Sequence, residues 1–251
     1  MAGRVEFRGE SCFFRLRSRA ARLCRPPSRV MLMLSRLQRA SSRRRAAASL
    51  TRAGMGVVYR GTEELTREAF WNVYRPGCME HYVLHCFRGD PDRIPQLDLM
   101  MELDGKIVGQ ALCVRGEILC DDGRRVPVLN LGPIGIAPEF KRRGYGKRLL
   151  DTCLERARAL GAGAMVLTGN PDFYGRSGFV PAKTRGIRYA DDPEAAYFLL
   201  RELEPGYLDG IAGTYRDPAG YFVCERDPEG FARFEATFPP KEKKVLPGQL
   251  G

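Results

Sequence analysis

Apolar positions along this chain recur in helical and strand periods that alternate in a definite order. Gly56-Val57-Val58-Tyr59-Arg60 predicts a short strand broken by Gly61. Thr62 then serves as an N-cap, with Glu63 and Glu64 in the first turn of a helix whose apolar face is Leu65, Ala69, Phe70 and Val73. Pro76-Gly77 stops it, and Met79, Tyr82, Val83, Cys86 and Phe87 recur at helical spacing to give a second helix. Three strands follow: Leu97 to Leu103, Lys106 towards Leu119, and Val126 to Ile136. Asp104-Gly105 and Asp121-Asp122-Gly123-Arg124 turn the chain between them, which makes an antiparallel meander. Pro133 cannot donate to a ladder, so the third strand is expected to bulge or to part from a neighbour there. A helix from Gly144 to Leu160 carries Leu149, Leu150, Cys153, Leu154 and Ala157 on one side and stops at Gly161. Ala164 to Thr168 is the next strand, and the strand–helix–strand order implies a parallel pair. A helical turn around Phe173-Tyr174 and strands near Ile187–Tyr189 and across Tyr197–Leu203 complete the pattern.

Charge divides the chain unevenly. The 251 residues carry a formal +11, but residues 1–55 alone hold 14 Arg, no Lys and two acids, a formal +12. The remaining 196 residues hold 27 bases and 28 acids, a formal −1. The positive excess therefore belongs to a segment of Arg, Ser and Ala with little stable structure expected before residue 56. It reads as an artefactual start or disordered arm, then a mitochondrial transit peptide, then a nucleic-acid arm. The body is neither disordered nor collagen-like, and no apolar run approaches the roughly 18 residues of a spanning helix. Eight scattered Cys without a CxxC pair, and His81 and His85 without a flanking carboxylate motif, argue against a disulfide framework and a zinc site.

The chemistry concentrates in Ile134-Gly135-Ile136-Ala137-Pro138-Glu139-Phe140-Lys141-Arg142-Arg143-Gly144-Tyr145-Gly146-Lys147. A strand runs into a basic loop with two glycines that opens a helix, an arrangement suited to an anion, and the positive side chains favour a polyphosphate. Neither GxxxxGK[ST] nor GxGxxG is present.

Two motifs here resemble the GNAT superfamily of N-acetyltransferases. Ile136-Ala137-Pro138 followed by Lys141-Arg142-Arg143-Gly144-Tyr145-Gly146 matches the family's V-x-P and [Q/R]-x-x-G-x-[G/A] pattern, with Lys141 in place of Gln or Arg. Asn170-Pro171-Asp172-Phe173-Tyr174-Gly175-Arg176-Ser177-Gly178-Phe179 matches N-x-x-F-Y-x-x-x-G-F. The resemblance covers residues 56–205, and the tail is similar to that of the YhbS-like group of acetyltransferases. It implies a mixed α/β fold, a central mixed sheet with a splayed, bulged strand flanked by helices. It also implies acetyl-CoA as cosubstrate and no metal, with transfer to a primary amine by direct attack in a ternary complex. The implied cofactor residues are Ile134, Ile136, Lys141, Arg142, Arg143, Gly144, Tyr145, Gly146, Lys147 and Asn170. The pyrophosphate sits on the amides of Arg142 to Lys147, the pantetheine arm runs along Ile134 and Ile136, and Asn170 bonds that arm. Tyr174 is the implied general acid for the leaving thiolate.

The implied domain plan is a basic segment 1–55, an acetyltransferase domain 56–205 and an extension 206–251 packing on it. The expected partners are acetyl-CoA and an amine, with no stable nucleic acid and no membrane, in a cytoplasmic monomer or homodimer. A mitochondrial location follows only if residues 1–55 are a transit peptide. A non-enzymatic acyl-CoA-binding or regulatory module of the same fold is the alternative function. The general base is open: residues 126–136 hold no titratable group, Asn130 stands near the place, and Glu117 or His85 are candidates. The acceptor side is expected among Thr62–Arg88, the C-terminal strands and the aromatic tail.

Overall fold

The antiparallel meander forms the centre of the sheet in the computed structural model, which describes residues 5–8 and 52–249, with residues 5–8 and 52–57 as backbone only. Its strands are β2 (Arg93–Leu103), β3 (Lys106–Cys120) and β4 (Arg125–Ile136). The other strands are β1 (Val5–Arg8), β5 (Ala164–Thr168), β6 (Val180–Pro181), β7 (Ile187–Tyr189), β8 (Phe198–Glu202) and β9 (Gly213–Tyr215). The sheet order is β1-β2-β3-β4-β5-β8-β6, with β9 on β3 and β7 on β9. All pairs are antiparallel except β4–β5 and β7–β9. The helices are α1 (Arg52–Phe70), α2 (Glu80–Phe87), α3 (Tyr145–Ala159), α4 (Pro171–Tyr174), α5 (Val223–Arg226) and α6 (Pro228–Glu235).

The chain divides into two units, Met1–Phe13 with Gly61–Gly251, and Phe14–Arg60. Of the second, the described part is the beginning of α1. The Arg-rich residues 9–51 lie outside the described residues, and so do the expectations placed on them.

Two expectations about the first residues fail. The strand over Gly56–Arg60 is part of α1, and Gly61 lies inside the helix instead of breaking it. A Cβ on Gly61 would stand 2.7 Å from Ile107 Cδ1, so the glycine is there for close approach of helix and sheet. Thr62 is accordingly mid-helix: it is 1% exposed, and Arg88 Nη2 donates to its hydroxyl at 2.7 Å. The second failure is Val5–Arg8, which pairs antiparallel with β2 from Val5↔Leu103 to Arg8↔Met100. The local apolar–polar alternation of Val5-Glu6-Phe7-Arg8 is a strand signal that the Arg-rich surroundings obscure.

Core side chains lie on both faces of the sheet. One face packs under α3, where Leu149, Leu150, Cys153, Leu154 and Ala157 are buried against Met101, Leu131 and Leu167. Each Leu so buried contributes about 1.5–3 kcal/mol. Val128, Val166, Phe198 and Tyr215 belong to a second cluster, and α2 with Leu112 and Cys224 to a third.

The C-terminal residues pack into this arrangement. β9 joins β3 at Ile118↔Tyr215, and the Phe87 and Tyr221 rings meet edge to face at 4.9 Å. Glu235 of α6 accepts from Arg67 Nε at 3.0 Å and stands 2.8 Å from His81 Nε2. Burial, the strongest influence, lowers His81 to about 4, so the ring is neutral at physiological pH. Among the described residues the six cysteines are free, no group of His, Cys, Asp or Glu could hold a metal ion, and no helix is long and apolar enough to cross a membrane.

Candidate active site

Pro133 marks the place where the sheet opens. The Gly132–Pro133 peptide is cis, and the β3–β4 register passes from Cys113↔Leu131 to Ala111↔Ile134, one residue more on β4 than on β3. This is the expected bulge. On its other edge β4 pairs with β5 only at Leu129↔Met165 and Asn130↔Val166. Beyond Asn130 the two strands part, and the β4 edge from Leu131 to Ile136 borders a slot.

At the mouth of this slot stands the N-terminus of α3. Ala137, a 3-10 turn (Pro138–Phe140) and a tight loop carry the chain from β4 into the helix, with Arg142 at φ 60° and Gly144 at φ 84°. Gly144 supplies no side-chain cap, and the first turn holds no acid. The first N–H groups of a helix lack intrahelical acceptors, so this end presents donors and a positive dipole without an internal anion. A Cβ on Gly144 would meet nothing within 4 Å, so the space beside its backbone is open.

Ile134, Ile136, Lys141, Arg142, Gly144, Gly146, Lys147 and Tyr174 border one cleft of about 450 Å³, together with Phe173 and Arg176. The expected residues Arg143, Tyr145 and Asn170 are not in that lining. Arg143 lies over the Phe140 ring at 5.7 Å, Tyr145 packs edge-on to the same ring, and Asn170 Oδ1 caps α4 by accepting the Asp172 N–H at 2.8 Å. Lys141 is turned inward: its ammonium donates to the Ala69 carbonyl at 2.9 Å, in the last turn of α1, and burial lowers it. Lys147 pairs with Asp151 at 2.7 Å.

Tyr174 sits between Phe173 and Phe179, with ring centroids at 4.9 and 5.8 Å. Burial, the largest influence, pushes its phenol well above the ordinary value, so it keeps its proton throughout the physiological range. The sequence reading missed the residue that makes room for it. A Cβ on Gly169 would stand 2.4 Å from Tyr174 Cε2. Its signal was only a glycine directly after a strand.

The candidates for a base lie elsewhere. Glu117 pairs with the exposed Arg125, and His85 Nδ1 is 2.9 Å from Glu63 Oε1 in the α1–α2 layer. Asn130, the last β4 residue paired with β5, is buried, and its Nδ2 donates to Asp217 Oδ1 at 3.1 Å.

Arranged in this way, the cleft can hold an anion at the helix start, an extended chain along β4 and a proton donor beside it. Residues 61–179 match the family described as "Acetyltransferase (GNAT) family". A curated relative, the uncharacterized N-acetyltransferase YjhQ of Escherichia coli (strain K12), is 31% identical over 93 residues, 37% of this chain. The match spans half the length of that relative, 50%. In fold the chain is similar to the GNAT-family N-acetyltransferase YhbS of Escherichia coli, solved in complex with CoA. That likeness has a TM-score of 0.57 and 21% identity over 66% of this chain and 87% of that one. It is also similar to a GNAT-family acetyltransferase from Brucella melitensis, solved with acetyl-CoA, with a TM-score of 0.51 and 24% identity over 65% and 91% of the two chains. Over residues 61–179 this chain matches the GNAT acetyltransferase family, and in fold it is similar to YhbS.

Proposed function

We propose that this protein moves an acetyl group from acetyl-CoA to a primary amine by direct attack within a ternary complex. The observation that carries this reading is the fork of β4 and β5, with an uncapped helix N-terminus at its mouth and the protonated Tyr174 on its wall. The residues present fit coenzyme A. The amides from Arg142 to Lys147 hold its pyrophosphate, with Arg142 and Lys147 adding positive charge. The β4 edge at Ile134 and Ile136 bonds the pantetheine arm as a neighbouring strand would, with Asn170 as a further contact. When bound, acetyl-CoA supplies the thioester that is transferred. A backbone N–H near Ile136 faces the carbonyl as charge develops on its oxygen. Tyr174 then gives its proton to the departing sulfur.

Lys141 takes a supporting place in this scheme. Its bond to the Ala69 carbonyl ties the phosphate loop to the end of α1, where a cation is favoured. Gly169 positions the acid. In Gly169→Ala the Tyr174 ring has to move, and kcat is expected to fall about tenfold while acetyl-CoA affinity stays within twofold. Steady-state transfer measured beside calorimetry checks this, and unchanged kcat refutes the positioning role.

Acetyl-CoA consumption by the full chain against a library of amines tests the function. Release of coenzyme A that depends on one class of amine is the expected result. Binding of acetyl-CoA without transfer to any amine would favour an acyl-CoA-binding module instead.

A further inference from the structure

The fork between β4 and β5 has a second face, turned away from α3, where polar groups gather beside the last paired rung. Side chains alternate along β4. Leu129 and Leu131 pack under α3, whereas Val128 belongs to the cluster of Phe198 and Tyr215 on the other side. Asn130 therefore points away from α3, at the last rung before the strands part. Its side chain bonds Asp217 at 3.1 Å, and the hydroxyl of Tyr189 bonds the other carboxylate oxygen. Tyr215 is fully buried nearby, and its hydroxyl completes no hydrogen bond. Tyr221 closes the same side, donating to the Gly132 carbonyl at 2.7 Å within the bulge.

Asp217 is thus a largely buried carboxylate held by neutral donors. No Lys or Arg is paired with it among the described residues. Such a charge is costly to bury unless a cation meets it. The nearby Arg216 is 3.3 Å from Asp191 and serves that acid instead. Tyr197, 45% exposed, stands edge-on to Tyr189 at 6.4 Å, so an aromatic face lies next to this group.

The geometry points to this face as the acceptor site, with Asp217 taking the proton from a small aliphatic amine that arrives as an ammonium ion. The inference rests on the acetyl-transfer reading and names its substrate class and base. Cosubstrate and acceptor reach the fork from opposite faces, so both can be bound together. The ammonium ion loses one proton to solvent as it settles against Asp217. As the amine nitrogen bonds to the thioester carbonyl carbon, the carbon–sulfur bond breaks. The carboxylate of Asp217 takes the second proton from nitrogen, and Tyr174 gives its own to sulfur. Solvent then returns a proton to Tyr174 and removes one from Asp217.

Burial, the strongest influence, raises the Asp217 carboxyl. Bonds from Tyr189 and Asn130, with the Tyr215 hydroxyl close by, hold it down, and Asp191 adds to the rise. A carboxyl raised in this way is a better proton acceptor near neutrality than an exposed Asp. The same negative charge disfavours amines that carry a carboxylate beside the nitrogen.

The test compares wild type and Asp217→Asn as full chains, with 1,4-diaminobutane, propylamine and glycine as acceptors. The expected result is acetylation of the first two, with glycine at least about tenfold poorer. Asp217→Asn should lower kcat/KM for amine about 10²-fold and remove the acid limb of the pH profile, with acetyl-CoA affinity unchanged. Tyr189→Phe removes a bond that holds the carboxyl down, so its acid limb should move to higher pH. That shift keeps the proposal testable if Asp217→Asn folds poorly. Unchanged kcat/KM and pH profile in both variants, or preference for glycine, would overturn it. Failure of wild type to bind acetyl-CoA would refute the cofactor reading separately. Calorimetric titration with 1,4-diaminobutane alone then decides: binding by wild type that Asp217→Asn loses supports this site, and no binding overturns it.

Discussion

Tyr174→Phe should lower kcat for acetyl transfer by about 10³-fold and leave acetyl-CoA affinity within twofold of wild type. The ring is held by Phe173, Phe179 and the space left at Gly169, and none of these contacts involves the hydroxyl. Fold and cleft shape should therefore survive the change, and the loss isolates the proton. Because burial raises the phenol, wild-type Tyr174 stays protonated in the assay range and contributes no basic limb near neutrality. An acid on the leaving group matters more as the attacking amine weakens, so the variant should lose most with weakly basic acceptors. Steady-state kinetics across amines of graded basicity, with calorimetry for acetyl-CoA, checks both parts. Equal kcat in the two proteins would remove Tyr174 from the chemistry.

Gly146→Asp should weaken acetyl-CoA binding by roughly 10²–10³-fold while leaving the protein as stable as wild type or slightly more so. A carboxylate in the first turn of α3 is favourable for the helix, worth about 0.3–1 kcal/mol. Placed about 4 Å from a phosphate charge it costs about 4 kcal/mol at an effective dielectric of 20. The added Cβ would meet Phe173 Cζ at 3.4 Å, a contact a ring at the cleft edge can yield to. The opposite signs are informative: thermal unfolding reports the helix, and calorimetry reports the anion site. Loss of both would indicate local unfolding, and unchanged affinity would mean the pyrophosphate lies elsewhere.

How far these features could be read from the sequence follows from how local each one is. The meander, α3 and β5 were legible because their turns and apolar periods are contiguous. Pro133 gave the bulge away because a residue without an N–H cannot continue a central ladder. The basic glycine loop at the start of α3 was legible because Arg142 to Lys147 are consecutive in sequence. Gly61 misled because its role is a tertiary contact with Ile107 on β3, invisible in local propensity. Gly169 was silent because its purpose is the volume occupied by Tyr174, five residues later. Lys141 had the charge of a phosphate ligand, yet it is held by the end of α1, 72 residues away. Asp217 is 87 residues from the Asn130 it bonds, in a tail whose pattern was only aromatic and turn-rich. Only the return of β9 beside β3 brings the two together.

In the proposed binding mode the β4–β5 fork receives the cosubstrate with its pyrophosphate at the start of α3. A crystal structure of the full chain with coenzyme A measures this directly. The predicted result is pyrophosphate oxygens on the amides between Arg142 and Lys147, the pantetheine arm beside Ile134–Ile136, and the sulfur end near Tyr174. Coenzyme A bound outside the fork, or a fork closed by continued β4–β5 pairing beyond Asn130, would contradict it.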